Sequence, residues 1–401
     1  MLSVEEARSR ILAPLEPTSA EMVALPEAFG RVAAAPIAAR RTQPPLDVSA
    51  MDGFALRADD GAKGARLAVI GSAPAGHPFA GQVGPGEAVR IFTGSVIPAG
   101  TDAILLQEDA SEEGAVVTIR ETVTAGQHIR RAGQDFREDE TLITAGRKLS
   151  ARDIGLAAAA NHPWIAVHRR PRVAILATGD EIALPGEALP PGGIVSSNAH
   201  ALAALARAAG SEPTVLPIAR DDPAAIAEAA ESARAMDYLV TTGGASVGEY
   251  DLVQAGLSQR GFALDFWKIA MRPGKPLIAG HLGEVPTLGL PGNPVSAMVC
   301  AILFLLPALA RLSGLAGEVL PNEEARLGAP VRANDARADH LRAKLGRDAA
   351  GRLVATPFAR QDSSLLRLLA EADALILRPP HAPALAAEAV VPVLRLDRLG
   401  I

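Results

Sequence analysis

Hydrophobic positions between residues 171 and 318 follow a strand, loop and helix rhythm. The predicted elements are a buried strand over 172–177, a helix over 198–209, a strand over 213–219, a helix over 222–235, strands over 238–242, 266–270 and 287–290, and a helix after Pro294. Strands that alternate with helices are typical of an α/β domain with a parallel, doubly wound sheet. We therefore predict an α/β core over 171–318, in which each crossover is right-handed.

The segments before this core have two different patterns. A capping box at Ser3 and Glu6 predicts a helix from Val4, and a second helical stretch is predicted before Phe29. Between residues 43 and 142, Gly and Pro separate short Val/Ile-rich segments, which favours a small β domain.

A third helix is predicted where Ser150 and Asp153 open an alanine-rich segment. We expect residues 1–42 and 143–170 to pack together as a helical linker domain, so that the β domain 43–142 is an insertion. Short apolar strands resume near the end of the chain, and residues 319–401 are predicted to form a C-terminal β domain.

Composition and charge narrow the class of protein. The 401 residues carry a formal net charge of −6, which argues against a nucleic-acid binder because phosphate backbones need clustered Lys and Arg. The single cysteine, Cys300, lies in an apolar run and is predicted to be a buried, inert thiol. The run 295–310 is too short to span a bilayer and contains Pro307, so a buried helix of a cytoplasmic, non-membrane protein is expected.

Two loops that follow predicted strands carry acidic side chains. Ligands of open α/β sheets bind beyond the carboxyl ends of the strands. Thr178, Gly179, Asp180 and Glu181 follow the first strand, where carboxylates suit a cation or a hydroxyl-rich ligand and a solvated turn is the alternative. In the second loop, Asp222 before Pro223 is a good helix N-cap, which leaves Asp221 free for another role.

The third loop combines glycines, hydroxyls and acids. It reads Thr241-Thr242-Gly243-Gly244-Ala245-Ser246-Val247-Gly248-Glu249-Tyr250-Asp251. Glycines with hydroxyl side chains after a strand favour a backbone nest for anions, and a divalent ion can bridge phosphate to carboxylates. We expect a functional loop here rather than a flexible surface turn.

The fourth group of loops carries cations. Lys268 precedes Arg272-Pro273-Gly274-Lys275-Pro276, and Leu290-Pro291-Gly292-Asn293-Pro294 leads into the apolar helix. Arg272 and Lys275 are predicted to hold an oxyanion, with Ser296 in the first helical turn, where amide groups and the helix dipole favour anions.

Together these loops resemble the molybdopterin molybdenumtransferase family, which includes MoeA-type proteins and the E domains of gephyrin and plant Cnx1. The other motifs that carry the resemblance are Ser49-Ala50-Met51-Asp52-Gly53-Phe54-Ala55, Phe92-Thr93-Gly94 and Arg130-Arg131-Ala132-Gly133-Gln134-Asp135. The motifs run from about residue 28 to residue 300 in family order, and their combination is far more specific than any one of them.

The resemblance implies a reaction and an assembly. Molybdate and adenylyl-molybdopterin would give molybdenum cofactor and AMP with the help of Mg²⁺. The enzyme would be an elongated homodimer whose active site lies between the α/β domain of one subunit and the inserted β domain of the other. Contacts with other molybdenum cofactor biosynthesis proteins are also implied, whereas no nucleic-acid or membrane partner is.

The loop chemistry and the resemblance together assign roles to individual residues. The catalytic set would be Asp52, Asp135, Glu181, Asp221, Asp251 and Lys268. The substrate-binding set would be Thr178, Gly179, Asp180, Thr242, Gly243, Gly244, Ser246, Arg272, Lys275, Ser296, Arg337 and Ser363. The metal ligands would be Asp221, Glu249 and Asp251. The chain departs from the family pattern at Asp362, where Gly is usual, and at Arg272, where Lys is frequent.

Two other functions compete with this interpretation. A molybdopterin adenylyltransferase resembles the α/β core alone, and the flanking domains with the Met51-Asp52-Gly53 loop argue against it. A gephyrin-like scaffold without enzymatic activity would need an exposed apolar groove and would not need the acids and cations that this chain retains.

Overall fold

A six-stranded sheet forms the centre of the molecule. The computed structural model describes residues 1–243, 250–317 and 319–400, apart from the side chains of Tyr250 and Asp251. The strands lie in the order Glu212–Val215, Arg172–Ala177, Tyr238–Thr242, Val285–Leu290, Pro276–Leu282 and Phe262–Lys268. The first four run parallel to one another, and the last two are antiparallel to their neighbours.

The predicted α/β class is confirmed, with one difference in the sheet. Residues 276–282 form a strand that the sequence pattern did not indicate, and a two-residue turn returns the chain to Val285. Gly283 occupies this turn with φ of 59°, a conformation that two-residue hairpins require and that glycine adopts readily. The hairpin makes the sheet mixed rather than wholly parallel.

Helices cover the sheet on both faces. They are Asn198–Ala208, Pro223–Glu231, Tyr250–Ser258 and the long helix Pro294–Leu312. The long helix is apolar enough to cross a membrane, but 89% of its apolar window is buried inside the protein, so it is a core helix. Its middle turn, Ala301–Leu305, is a π-helix, which accommodates the missing amide of Pro307.

The segments on either side of the inserted domain pack on each other. Strand Ala20–Ala24 pairs antiparallel with Trp164–His168, and Ile37–Ala38 pairs with Thr141–Ile143. Helix Ala151–Ala159 packs beside them on a shared apolar core.

Two features of this region differ from the sequence prediction. The second helix predicted before Phe29 does not form, and the chain there has strand Ala20–Ala24 followed by a single 3₁₀ turn, Leu25–Ala28. The strand pairs with 164–168, and Pro26 lacks the amide that a longer helix needs. Helix Val4–Leu12 begins at the predicted capping box, but Val4, Ala7 and Ile11 pack into the central core rather than onto the other flanking segments.

The inserted region contains a second six-stranded sheet. Its order is Ala103–Leu106, Gly53–Leu56, Glu87–Ile91, Arg66–Ala73, Val116–Ile119 and Ala110–Glu113. Val48–Ser49 and Ile129–Arg130 pair beside it. Because buried apolar side chains fill both of its faces, this region has its own core.

The C-terminal region is a closed ring of five strands with a short helix, Leu366–Ala370. The ring runs through Ala338–Arg347, Leu353–Pro357, Asn322–Leu327, Val390–Arg395 and Ala374–Arg378, and the last strand pairs again with the first. Met271–Arg272, from the central domain, pairs parallel with the start of Ala338–Arg347. The C-terminal ring is therefore joined by backbone hydrogen bonds to a loop at the carboxyl edge of the central sheet.

Candidate functional site

The topology brings most of the predicted site to one edge of the central sheet. The parallel strands end there at Ala177, Thr242 and Leu290. The two antiparallel strands place Pro276 and Lys268 at the same edge, since these residues pair with each other beside Leu290. From Thr242 to Lys268 the edge extends over three strand spacings, roughly 14 Å.

A cleft of about 570 Å³ opens at this edge. Its lining combines the acidic loop after Ala177, the segment 194–198, the Thr242-Gly243 turn, the turn before the long helix, and a loop of the C-terminal ring. The lining residues include Glu181, Asn198, Thr242, Gly243, Gly292 and Ser364. The size and open form of the cleft suit an elongated small molecule.

The floor of the cleft is a close approach of two backbone segments. The Thr178 amide donates to the Thr242 carbonyl at 3.0 Å. Gly243 has φ of 120°, and a Cβ atom at this position would lie 2.2 Å from the Thr178 carbonyl oxygen. Only glycine therefore fits here. The Thr178 hydroxyl is buried and has no hydrogen-bond partner among the described residues.

Two acidic loops meet beside the cleft. The Asp180 amide donates to the Asp221 carboxylate at 3.3 Å, and the Asp221 amide donates to the Asp180 carboxylate at 3.3 Å. The structure thus brings these predicted residues together, with Glu181 in the adjoining wall. Glu249, Gly244 and Ser246 lie outside the described residues, and so does the side chain of Asp251.

These carboxylates allow a magnesium site that substrate completes. The part of the chain that the structure describes holds no group of three His, Cys, Asp or Glu side chains with metal-site geometry. Magnesium, however, is commonly held by one or two carboxylates together with substrate phosphates and water. Asp180 and Asp221 fit that requirement, because each already directs a carboxylate toward the other's loop.

Two lysines provide positive charge along the same edge. Lys268 and Lys275 are exposed at the junction of the antiparallel strands, and the Lys275 carbonyl accepts from the Ile269 amide at 3.4 Å. The Lys268 ammonium lies 3.7 Å from the centre of the Trp267 ring, a cation–π contact that holds it at the edge.

Arg272 has a different environment from these lysines. Its Nε and Nη2 atoms donate to the two carboxylate oxygens of Asp339, at 2.9 and 2.6 Å. Asp339 is buried in the C-terminal ring, and Asp335 lies 3.9 Å away on the other side of the guanidinium. The oxyanion role predicted for Arg272 therefore competes with an ion pair inside the protein.

The start of the long helix is covered by the C-terminal ring. The Val295 amide donates to the Ser363 carbonyl at 3.1 Å, and Pro294 has no amide hydrogen. Ser296 is buried in the same turn. Ser363 therefore lies against the helical turn that contains Ser296, and part of the helix N-terminus is already satisfied by protein.

Sequence reasoning missed the residue that shapes this loop, Arg342. Its guanidinium is buried and donates to the carbonyls of Asp362 and Leu365, at 3.0 and 3.3 Å. Gln361 completes the arrangement by bonding the Arg342 backbone at both its amide and its carbonyl. The predicted residue Arg337 instead forms a two-bond ion pair with Asp335, which holds the Asp335 pKa at about 2.

The inserted region presents a second group of predicted residues. Thr93 donates to the Asp52 carboxylate from its amide at 2.7 Å and from its hydroxyl at 2.8 Å, which lowers the pKa of Asp52. Asp135 lines a separate cleft of about 650 Å³ with Gln43, Arg130 and Gly94. The lining of this cleft shares no residue with the cleft of the central sheet.

Comparisons with known proteins agree with this arrangement. Three family descriptions match in chain order: "MoeA N-terminal region (domain I and II)" over residues 2–161, "Probable molybdopterin binding domain" over 174–311, and "MoeA C-terminal region (domain IV)" over 324–396. A molybdopterin molybdenumtransferase of Nostoc sp. is 39% identical over 305 residues, which cover 74% of this chain and 70% of the relative.

Matches over nearly the full length give the same result. Molybdopterin molybdenumtransferase 2 of Mycobacterium tuberculosis is 34% identical and covers 94% of this chain and 95% of the relative. The crystal structure of a molybdopterin biosynthesis MoeA protein from Pyrococcus horikoshii superposes with a TM-score of 0.86 at 30% identity, covering 98% of this chain and 99% of that one. The chain belongs to the molybdopterin molybdenumtransferase (MoeA) family.

Proposed function

We propose that this protein is a cytoplasmic molybdopterin molybdenumtransferase, which inserts molybdate into adenylyl-molybdopterin and releases molybdenum cofactor and AMP. The observation that supports this most directly is the carboxyl edge of the central sheet, where exposed Lys268 and Lys275 share the edge with a cleft lined by Glu181, and where the loops of Asp180 and Asp221 contact each other. Cations suit the molybdate dianion, and carboxylates suit a magnesium ion on the phosphates of the other substrate.

Each substrate is assigned to a part of this edge. The adenylylated pterin lies in the cleft, with its phosphates near the Gly243 backbone. Molybdate lies toward Lys275 and Lys268, where charge-assisted hydrogen bonds from the ammonium groups neutralise it. This division accounts for a cleft whose volume, about 570 Å³, exceeds that of a single oxyanion, and for the position of both lysines at one end of the edge.

Magnesium belongs to the phosphate end. Asp180 and Asp221 would hold it, with Glu249 and Asp251 as further predicted ligands. When bound, the ion would neutralise phosphate charge and stabilise AMP as the leaving group. Glu181 borders the cleft, and Pro294 and Ser364 line the side next to the C-terminal ring, with Ser296 and Ser363 immediately behind them as predicted anion contacts.

A homodimer would complete the site. Asp52 and Asp135 lie in the inserted region, and the cleft around Asp135 is separate from the cleft of the central sheet. We propose that the inserted region of one subunit faces the central sheet of the other. Mixing Asp52→Asn subunits with Lys275→Ala subunits tests this, because a shared site regains activity in mixed dimers and a site within one chain does not.

The decisive assay for the function measures AMP released from purified adenylyl-molybdopterin as molybdate and Mg²⁺ are varied. Release that depends on both, and that falls in Lys275→Ala but not in the surface control Lys63→Ala, supports the proposal. ATP-dependent adenylylation of bare molybdopterin without molybdate-dependent AMP release would overturn it in favour of an adenylyltransferase.

A further inference from the structure

One amide side chain joins three segments of the cleft. Asn198 is the first residue of helix Asn198–Ala208, and its Nδ2 atom lies 3.0 Å from the Thr242 hydroxyl and 2.8 Å from the Gly292 carbonyl. A carbonyl oxygen can only accept, so the Nδ2 group must be the atom that faces Gly292. The need for a donor at the Gly292 carbonyl therefore fixes which way the side-chain amide of Asn198 faces.

The connection continues through Thr242. With its hydroxyl oxygen accepting from Asn198, Thr242 directs its own hydrogen to the Pro291 carbonyl at 3.4 Å. Thr242 ends a central strand and is buried, so few other partners can satisfy its hydroxyl. The strands that lead into these two turns are already paired, with Thr242 opposite Leu290, and Asn198 adds a side-chain link that fixes the orientation of the Thr242 hydroxyl and the Gly292 carbonyl.

The groups that Asn198 links lie in the wall of the cleft. Asn198, Thr242, Gly243 and Gly292 all line it. The Thr242-Gly243 turn is held on its other side by the Thr178 backbone, and Asn198 is the side chain that donates to the Gly292 carbonyl. A shorter residue at 198 would leave both the Thr242 hydroxyl and the Gly292 carbonyl without this donor.

We infer that Asn198 is a positioning residue, which fixes the orientation of the Thr242 hydroxyl and the Gly292 carbonyl where the cleft receives the adenylate phosphate of the substrate. This inference rests on the proposed function, because it deepens the assignment of the cleft to the phosphate-bearing part of adenylyl-molybdopterin. Asn198 acts through Thr242 and Gly292 and is separate from the cationic end of the edge.

The test measures AMP binding by calorimetry in the presence of Mg²⁺, together with kinetics for each substrate. Losing two amide hydrogen bonds should weaken AMP binding about tenfold or more in Asn198→Ala, and it should raise the KM for adenylyl-molybdopterin by a similar factor. The molybdate concentration needed for half-maximal rate should stay within twofold of wild type. Asn198→Asp has the same shape without the donors, so it should lose at least as much affinity.

A double variant separates positioning from direct contact. If Asn198 acts through Thr242, adding Thr242→Val to Asn198→Ala should weaken AMP binding by no more than a further twofold. If the two substitutions weaken AMP binding by independent factors that multiply in the double variant, the positioning role is wrong. Asn334→Ala is the stability control, since Asn334 also donates two amide bonds to carbonyls, at 2.9 and 2.8 Å. Equal loss of thermal stability in both variants, with AMP binding weakened only in Asn198→Ala, supports the inference.

The inference and the proposed function can fail separately. Wild-type AMP binding and an unchanged Asn198→Ala variant would overturn the inference while molybdate-dependent AMP release still supports the function. Asn198-dependent AMP binding by a protein that releases no AMP from adenylyl-molybdopterin would support the inference and overturn the function. Absence of AMP binding to the wild-type protein at millimolar concentration overturns the inference as well.

Discussion

The guanidinium of Arg272 and the carboxylate of Asp339 form a two-bond ion pair that joins the cationic loop of the central sheet to the C-terminal ring. The backbone reinforces the pair, because Arg272 and Asp339 are also direct neighbours in the parallel pairing of their strands. Lys275, predicted to bind molybdate, lies three residues further along the same loop. The position of Lys275 therefore depends on a contact with another domain.

The Arg272–Asp339 pair predicts the effect of Asp339→Asn. If Arg272 positions the loop, Asp339→Asn and Arg272→Ala should both raise the molybdate requirement several-fold, since each releases the loop. If Arg272 is instead a ligand of molybdate, Asp339→Asn should leave the requirement unchanged or lower it, because the guanidinium becomes free. Molybdate titrations of AMP release on both variants distinguish these outcomes, with thermal unfolding as the control for folding.

Lys275→Ala should act mainly on molybdate. A charge-assisted hydrogen bond contributes roughly 1.5–3 kcal/mol, so losing one should raise the half-saturating molybdate concentration about ten- to a hundredfold. Affinity for adenylyl-molybdopterin should change much less. Lys63→Ala, on the exposed surface of the inserted region, is the matched control. Impaired pterin binding with normal molybdate dependence would mean that this loop serves the other substrate.

Gly243→Ala should disrupt the floor of the cleft. The added methyl group would meet the carbonyl oxygen of Thr178, a residue that its own amide ties to the Thr242 carbonyl. Gly261→Ala is the control, because Gly261 also has positive φ, of 87°, but has open space around its Cβ position. The control should lose about 1–2 kcal/mol of stability from backbone strain alone, and Gly243→Ala should lose more stability and nearly all AMP binding. Equal unfolding midpoints with equal AMP affinities would contradict this role for the close approach.

The sequence predicted those parts of the fold that local patterns determine. Apolar runs ending at Ala177 and Thr242 indicated buried parallel strands. Because ligands bind beyond the carboxyl ends of such strands, the loops that follow them were predicted to carry site residues. The strand 276–282 escaped prediction because Pro276, Gly280 and His281 interrupt its apolar run, and only pairing with both neighbours makes it a strand.

Residues whose role depends on tertiary contacts were harder to predict. Arg342 is indistinguishable in sequence from a surface arginine of an alternating strand, and its burial arises only when the C-terminal ring closes around the 358–365 loop. Asn198 was predicted only as a helix start, since its partners lie 44 and 94 residues away. The ion pairs of Arg272 and Arg337 could not be predicted for the same reason.

His340 of the C-terminal ring provides a prediction about stability and pH. It is buried beside Asp339, and its Nδ1 atom has no hydrogen-bond partner among the described residues. Burial lowers the pKa of His340 from 6.5 to about 4, although a hydrogen bond with the Arg272 backbone and the charges of Asp339 and Glu5 act in the opposite direction. The folded protein therefore keeps this imidazole neutral at a pH where the unfolded chain protonates it.

The sign of the effect follows from proton linkage. Between pH 6.5 and about 4 the unfolded chain binds more protons at this position, so stability falls as the pH is lowered through this window. At about 1.4 kcal/mol for each pKa unit, the contribution is on the order of 3 kcal/mol. His340→Leu should remove this part of the pH dependence and flatten the unfolding midpoint between pH 7 and pH 4.5, whereas His77→Gln on the exposed surface should leave the wild-type slope intact. Calorimetric melting across this range measures both variants. A slope in His340→Leu that equals the wild-type slope would show that other groups cause the acid sensitivity of the folded chain.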